Sequence, residues 1–181
     1  MACGSGLTCS SSSFASYRLS VGGLVERPTG YTLDELRALP ARTQITRHDC
    51  VEGWSCIGKW KGVPLHVLLE QAKPLPQAKF VLFRCFDSMD GPTLDGSDSR
   101  YYESIDLDDA HHPQTILAYD LNDRPLPVSN GAPLRCRVER QLGYKQAKYV
   151  SAIELIESFA DIRGGKGGYW EDEGYEWYGG I

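Results

Sequence analysis

Residues 47–55 read Arg-His-Asp-Cys-Val-Glu-Gly-Trp-Ser, and the interpretation of the whole chain starts from this stretch. The pattern predicts a strand that ends by delivering one cysteine, Cys50, into a polar loop. A cysteine binds a metal as its thiolate, which is a soft ligand. Two later stretches carry glycine and cationic side chains, namely 130–135 (Asn-Gly-Ala-Pro-Leu-Arg) and 143–148 (Gly-Tyr-Lys-Gln-Ala-Lys). Backbone N–H groups and Lys or Arg charges suit a phosphate, so the three stretches predict a metal beside an anionic organic cofactor.

These three stretches, in this order, resemble the molybdopterin-dependent oxidoreductases of the sulfite oxidase fold. The resemblance runs from about Tyr17 to Ile181, and it is strongest to the small bacterial branch that includes the catalytic subunit of periplasmic methionine sulfoxide reductase. The strings at 50–55 and 130–135 are specific, whereas Gly-Tyr-Lys at 143–145 would be weak alone. The resemblance implies a sulfite oxidase-type molybdopterin-binding domain.

Length and composition are those of a single globular domain. The chain has 181 residues, of which 41% are apolar and 24% charged, and this is ordinary for a soluble protein large enough to bury a core. The net charge of −5 and the lack of a long basic run argue against a nucleic-acid partner. No run of 18 apolar residues is present, so the sequence predicts no membrane-spanning helix.

The first sixteen residues differ from the rest of the chain. Residues 1–16 are rich in Ser, Gly and Cys and have neither a charged n-region nor a long apolar h-region, so they are not an intact signal peptide. We interpret them as a flexible leader or a cloning remnant, and residues 17–181 as the molybdopterin-binding domain. Relatives carry further residues ahead of the first strand, usually with an export signal. The resemblance therefore implies a periplasmic location for the native full-length protein.

The cysteine pattern does not predict a disulfide framework or a zinc site. The six cysteines are Cys3, Cys9, Cys50, Cys56, Cys85 and Cys136. They form no Cys-x-x-Cys pair and no zinc-like pairing with histidines, and a chain of this size does not need disulfides. Cys85 and Cys136 lie in apolar runs, where a small buried side chain is the simplest interpretation.

Hydrophobic patterning predicts an α+β fold of mixed β-sheets with short helices. The predicted strands are 17–21, 44–50, 80–86, 115–119, 134–138 and 148–156, and the predicted helices are 33–39, 64–71 and 106–112. Thr32 and Glu35 fit a capping box at the start of the first helix. Residues 60–63 are predicted to form a turn.

Two segments outside these elements are expected to matter for function. Residues 87–100 are rich in Asp, Gly and Ser and predict a long surface loop, and loops of that length are usually functional. The tail 164–180 is too aromatic for a disordered segment, so we expect it to fold back and cover part of the domain. Trp170, Trp177 and Tyr178 could line the metal pocket, but packing of the terminus is the simpler interpretation.

The resemblance places Cys50 as the protein ligand of molybdenum, beside the dithiolene of one pterin. The alternative is a buried core cysteine. A low thiol pKa is required, and Arg47 and His48 could provide it if they face the site. Glu52 matches an acidic residue near the metal in relatives and would carry protons during turnover. The alternative for Glu52 is a salt bridge to an arginine.

The same resemblance assigns the pterin contacts. They are Cys85, Asn130, Arg135, Gln146, Ala147 and Lys148, with Cys85 at a position where a relative has threonine. Independently, residues 135–148 hold five cations and one carboxylate, so Arg135, Lys145 and Lys148 are the best candidates for an anion site. The alternative is a charged strand face.

Together these features predict a molybdenum–molybdopterin enzyme that transfers an oxygen atom, or an equivalent pair of electrons, to or from a small substrate. Sulfoxide reduction is favoured over sulfite oxidation because the string at 50–55 resembles the reductase branch. No Cys-x-x-Cys-His haem motif is present, so electrons would come from a partner, which in that branch is a membrane haem protein. The chain ends where sulfite oxidases continue into a dimerisation domain, so we expect a monomer. The alternatives are a cofactor-free domain acting as a binding module, and a zinc protein.

Overall fold

The computed structural model describes residues 14–89 and 99–181. The strands are β1 (Arg18–Gly23), β2 (Thr29–Thr32), β3 (Arg42–Asp49), β4 (Ser55–Pro64), β5 (Phe80–Ser88), β6 (Arg100–Asp106), β7 (Ile116–Leu121), β8 (Arg124–Pro125), β9 (Arg135–Arg137) and β10 (Val150–Ile156). The helices are α1 (Leu33–Ala38), α2 (Leu65–Ala72), α3 (Leu107–His111) and α4 (Tyr169–Asp172), with 3₁₀ turns at Val128–Asn130 and Gly143–Lys145. The predicted α+β class, with mixed sheets and short helices, is confirmed.

Two five-stranded sheets form the framework. The first has the order β2-β1-β10-β5-β6, in which β1 pairs with β10 in parallel and the other pairs are antiparallel. The second has the order β3-β4-β7-β8, and β9 also pairs with β7. The parallel pair joins β1, near the start of the chain, to β10, the last strand in sequence. Assembly of the first sheet therefore depends on a contact between distant parts of the chain.

The main hydrophobic core draws on both sheets and on α2. Leu19 of β1, Leu68 of α2 and Leu117 of β7 are all fully buried in one cluster. Helix α2 begins directly after Pro64, which suits the start of a helix because proline lacks the N–H that would have no partner there. Its buried stripe, with Leu65 and Leu69 beside Leu68, is the predicted one.

Helix α1 begins with the predicted capping box. The Glu35 backbone N–H donates to Thr32 Oγ1 at 3.1 Å, and the Thr32 backbone N–H donates to Glu35 Oε2 at 2.7 Å. Each side chain therefore satisfies a backbone donor that the first helical turn leaves free. The helix ends two residues before Pro40, close to the predicted end.

The predicted turn at residues 60–63 is wrong, because these residues lie inside β4. The glycine at position 62 allows β4 to run close beside the backbone of β7. A Cβ atom on Gly62 would lie 2.1 Å from the Leu117 carbonyl oxygen of the neighbouring strand. The glycine signals a close approach of two backbones rather than a change of direction.

Two predicted segments are only partly described. Most of the leader, residues 1–13, and most of the predicted long loop, residues 90–98, lie outside the described residues. At the margins, Phe14 packs against the core, and Asp87 belongs to β5. No described helix has both the length and the apolar character needed to cross a membrane.

The aromatic tail folds back over the first sheet, as predicted. Trp177 Nε1 donates to Ser104 Oγ at 3.0 Å, and the Trp177 ring stacks on Phe159 with centroids 5.8 Å apart. Trp177 is therefore a packing residue. The short helix α4 in the same tail carries Glu171, which is fully buried.

Candidate functional site

A cavity of about 610 Å³ collects side chains from both sheets, the two 3₁₀ turns and the tail. The predicted site residues that line it are Cys50, Glu52, Asn130, Arg135, Gln146 and Lys148. These residues span almost a hundred positions in sequence, so the fold brings together most of the predicted site. Cys85 and Ala147 are not in this lining and are each 1% exposed in the main core. Their assignment to the cofactor stays a prediction.

Cys50 lies at the turn between β3 and β4, where the sequence placed it. Its backbone N–H donates to the Trp54 carbonyl at 2.9 Å, and the Gly53 N–H donates to the Cys50 carbonyl at 3.0 Å. Gly53 has a φ of +88°, which glycine adopts without strain. Cys50 is half-buried, and it, Cys56, Cys85 and Cys136 are free cysteines, so none of these four is in a disulfide.

The two cationic neighbours of Cys50 do not supply a free positive charge. Arg47 is largely exposed and its Nε pairs with Asp49 at 2.9 Å. The His48 ring is buried against Arg135 and Arg137, and burial, followed by repulsion from those two guanidinium groups, lowers the pKa of His48 to about 4. His48 is therefore neutral near pH 7, and neither residue offers an unpaired positive charge to Cys50.

His48 nevertheless has a fixed position at the cavity wall. Arg137 Nη1 lies 2.8 Å from His48 Nδ1. Gly143 lies against the other edge of the ring, and a Cβ atom there would be 2.6 Å from His48 Cε1. The 3₁₀ turn Gly143–Lys145 therefore rests directly against the end of β3, next to Cys50.

Glu52 is exposed at the edge of the cavity. Its carboxylate accepts a hydrogen bond from Trp54 Nε1 at 3.2 Å, two residues away. It forms this contact rather than the alternative salt bridge to an arginine of the described chain. A solvent-exposed carboxylate beside Cys50 can exchange protons with bulk water.

Arg135 is a buried cation whose charge has no carboxylate partner among the described residues. It is 7% exposed, Nη1 donates to the Asn130 carbonyl at 3.2 Å, and Nε has no hydrogen-bond partner in the described chain. Burial, and then repulsion from Arg137, lowers the pKa of Arg135 to about 10. A buried guanidinium with an unused donor is an incomplete arrangement that an anion would complete.

Lys148 is the second such cation. Its Nζ donates to the Ser129 carbonyl at 3.1 Å, and burial and repulsion from Arg135 lower the pKa of Lys148. Arg135 and Lys148 thus repel one another across the same cavity wall. Asp87, whose carboxyl pKa is raised by burial, also lines the cavity and opposes this repulsion only in part.

Lys145 does not belong to this anion site. Its ammonium group is fully buried and contacts both Glu103 Oε1 and Glu171 Oε1. The predicted trio of Arg135, Lys145 and Lys148 therefore reduces to two cavity-lining cations among the described residues. No local pattern around Lys145 indicates this pairing, because the two glutamates lie 42 and 26 residues away along the chain.

Several cavity residues were missed by sequence reasoning. They are Trp54, Asp87, Tyr101, Tyr144 and Tyr175. Trp170 also lines the cavity, in addition to packing against the core. The density of Trp and Tyr in the tail was the available signal for Tyr175. Tyr178, by contrast, is not in the lining and is 47% exposed.

Comparison with protein families gives a match over residues 7–161 to a model described as the oxidoreductase molybdopterin binding domain. The chain belongs to this family. The predicted family and its cofactor class are thereby confirmed.

Individual members of the molybdopterin-binding family are similar over most of the chain. A protein of Azospira oryzae, provisionally named protein-methionine-sulfoxide reductase subunit YedZ1, is 45% identical over 92% of this chain and 56% of its own length. The protein-methionine-sulfoxide reductase catalytic subunit MsrP of Xanthomonas axonopodis pv. citri is 37% identical over 80% of this chain and 46% of its own. The chain thus spans about half the length of these relatives.

A solved structure shares the fold. The sulfane dehydrogenase SoxCD of Paracoccus pantotrophus superposes with a TM-score of 0.70 at 23% identity, over 83% of this chain and 40% of its own. At this identity the likeness concerns the architecture of the molybdopterin-binding domain alone.

The residues of the cavity fit a molybdopterin. No group of three or more His, Cys, Asp or Glu side chains in the described ranges could hold a metal by itself. A single thiolate, Cys50, suits a metal whose other ligands come from an organic chelator. Arg135, with its unused donor, and Lys148 suit the terminal phosphate of that chelator, since an anion there would relieve their mutual repulsion.

Proposed function

We propose that this domain is the molybdenum-binding catalytic part of an oxidoreductase that reduces sulfoxides, rather than one that oxidises sulfite. The observation that carries the proposal is the shared cavity of Cys50, Arg135 and Lys148, in which a thiol shares the lining with two cations that form no salt bridge to a carboxylate of the described chain. The names of two relatives, both protein-methionine-sulfoxide reductase subunits, support the direction of the reaction.

Each side chain has a role that follows from its contacts. Cys50 would bind the metal, and metal binding itself deprotonates a thiol, so the lack of a free cation beside it is no obstacle. Arg135 and Lys148 would bind the phosphate of the pterin. Asn130 would hydrogen-bond to its polar edge, and Gln146, whose Nε2 already donates to the Val138 and Gln141 carbonyls, would form the cavity wall beside it. When bound, the cofactor supplies the two-electron redox chemistry.

Reduction of a sulfoxide consumes two electrons and two protons and yields a thioether and water. Glu52 is placed to hold and pass the protons, because it is exposed to solvent and lines the same cavity as Cys50. The electrons would come from a membrane haem protein. A periplasmic location, a small sulfoxide substrate and a monomeric catalytic domain complete the proposal.

Metal content tests the site. The protein is produced in a host that makes the molybdenum cofactor and is analysed for metals. We expect about one molybdenum per chain in the wild type, a loss of it in Cys50→Ala, and an unchanged content in the control Cys56→Ala. Cys56 is the matched control because it is an exposed free cysteine six residues away that also lines the cavity.

Activity tests the reaction. With a reduced viologen as electron donor, the loaded wild type should reduce sulfoxides, and Cys50→Ala should not. A wild type without molybdenum would instead favour a cofactor-free binding module, and stoichiometric zinc that survives Cys50→Ala would favour a zinc protein.

A further inference from the structure

Trp170 and Tyr175 of the tail and Tyr144 of the 3₁₀ turn Gly143–Lys145 form an aromatic wall of the cavity. The Tyr175 ring stacks on Trp170 with centroids 5.4 Å apart and meets Tyr144 edge-on at 5.3 Å. All three rings line the same cavity as Cys50. Trp170 and Tyr175 lie beyond residue 161, where the match to the family model ends.

The aromatic wall lies close to the metal ligand. Tyr144 follows Gly143, which contacts the ring of His48 and comes within 3.2 Å of the Asp49 carbonyl oxygen when a Cβ is placed on it. Asp49 is the residue before Cys50. A substrate that enters this cavity to reach a metal held by Cys50 therefore enters a space that these rings also line.

The charge behind the aromatic wall does not favour an anion. Lys145 Nζ lies 5.9 Å from the centre of the Tyr144 ring, but its charge is shared with Glu103 and Glu171. One ammonium group against two carboxyl groups leaves no net positive charge there. The faces of aromatic rings also carry partial negative charge. This side of the cavity consequently suits a neutral molecule with apolar groups.

We propose that the aromatic wall of Tyr144, Trp170 and Tyr175 is the subsite that holds the alkyl arms of a neutral dialkyl sulfoxide and so determines substrate specificity. This inference rests on the proposed function. Sulfur and the methylene groups beside it make favourable contacts with aromatic rings. A dialkyl sulfoxide such as a methionine sulfoxide side chain offers both, whereas sulfite is an anion without an apolar surface.

The test compares substrates with long and short arms. The probes are N-acetyl-methionine sulfoxide amide and dimethyl sulfoxide, both neutral, with the molybdenum-loaded enzyme and a reduced viologen. Tyr175→Leu removes one ring of the aromatic wall at a position that is 39% exposed. We expect its KM for the methionine derivative to rise about 2- to 10-fold. The KM for dimethyl sulfoxide should rise less, and kcat should change less than twofold.

Tyr178→Leu is the matched control, since Tyr178 lies in the same tail, has similar exposure at 47%, and is not in the cavity lining. Its KM should equal that of the wild type. Trp170→Phe, which keeps a ring for packing, should give a smaller rise than Tyr175→Leu, and thermal unfolding confirms that each variant remains folded.

Different results would overturn the proposed function and the inference about the aromatic wall. A loaded wild type that reduces no sulfoxide overturns both the proposed function and this inference. An active wild type whose KM is unchanged in Tyr175→Leu and Trp170→Phe, or is raised equally in Tyr178→Leu, overturns the aromatic wall alone.

Discussion

Lys145 and Lys148 lie three positions apart in one motif, yet they occupy opposite electrostatic situations. Lys145 is fully buried between Glu103 and Glu171. Lys148 lines the cavity, and its Nζ has a backbone carbonyl as its hydrogen-bond acceptor, while Arg135 repels it. The charge of Lys145 is compensated by carboxyl groups of the protein itself, whereas the charge of Lys148 is available to an anionic ligand. Proximity in sequence therefore says little about which cation binds a ligand.

The same contrast recurs within β9. Arg137 forms a two-point pair with Glu139, with contacts of 3.0 and 2.8 Å, and its guanidinium lies 4.4 Å from the centre of the Trp60 ring. Arg135, two residues earlier, has no carboxylate partner in the described chain. In both pairs, Arg135 with Arg137 and Lys145 with Lys148, only the cation without a salt bridge to a carboxylate of the described chain lines the cavity.

The largest expected effect is on Lys145. Lys145→Met leaves two carboxyl groups buried without a cation, and removal of one partner from a buried ion pair costs about 3–5 kcal/mol. The free energy of unfolding, measured by denaturant titration, should fall by that amount. A loss below about 1 kcal/mol would show that the buried cluster does not depend on this lysine.

The next effect concerns the pH dependence of stability. Burial, and secondarily the nearby Glu171, raises the pKa of Glu103 above its ordinary value of 4.5, although Lys145 opposes the shift. The folded state therefore holds this proton more tightly than the unfolded state. Its contribution to stability is fully present below about pH 4.5 and is lost as the pH rises towards the raised pKa.

Glu103→Gln tests this directly, because the amide keeps the shape of the side chain and cannot titrate. As the pH rises above 4.5, the wild-type free energy of unfolding should fall with a slope of up to about 1.4 kcal/mol per pH unit, and the variant should show a flatter profile. Tyr101, Lys145 and Glu171 remain in place around it in both proteins. Identical slopes would mean that Glu103 is ionised throughout this range.

The smallest expected effect is on Lys148. Lys148→Met should change the free energy of unfolding by about 0.5 kcal/mol or less, because the loss of the attraction to Asp87 is offset by the loss of the repulsion from Arg135. The same variant should retain less cofactor, measured as molybdenum per chain. A stability loss as large as that of Lys145→Met would remove the distinction between the two lysines.

The sequence predicted well wherever the signal was local. The capping box of Thr32 and Glu35 and the buried stripe of α2 depend on residues three or four positions apart, and both are present. The sequence motifs predicted that Cys50, Arg135 and Lys148 belong to one site, and all three line the same cavity. The composition of the tail predicted that it folds back, though not which rings face the cavity.

The failures were of a different kind, because they depended on contacts between distant parts of the chain. The partners of Lys145 come from β6 and α4, so no window around residue 145 reveals them. Burial, and then repulsion from the two arginines of β9, lowers the pKa of His48. Gly62 looked like a turn because the sequence does not show that β7 passes close to it.

The parallel pairing of β1 with β10 has a consequence for biogenesis. Residues 20–23 pair with residues 152–155, and every predicted ligand of the prosthetic group lies between these two partners in sequence. During vectorial synthesis the first sheet cannot close until the last of its strands has left the ribosome. The strand that completes the first sheet is therefore synthesised after all of these predicted ligands, and pairing of β1 with β10 is a late, long-range step of folding.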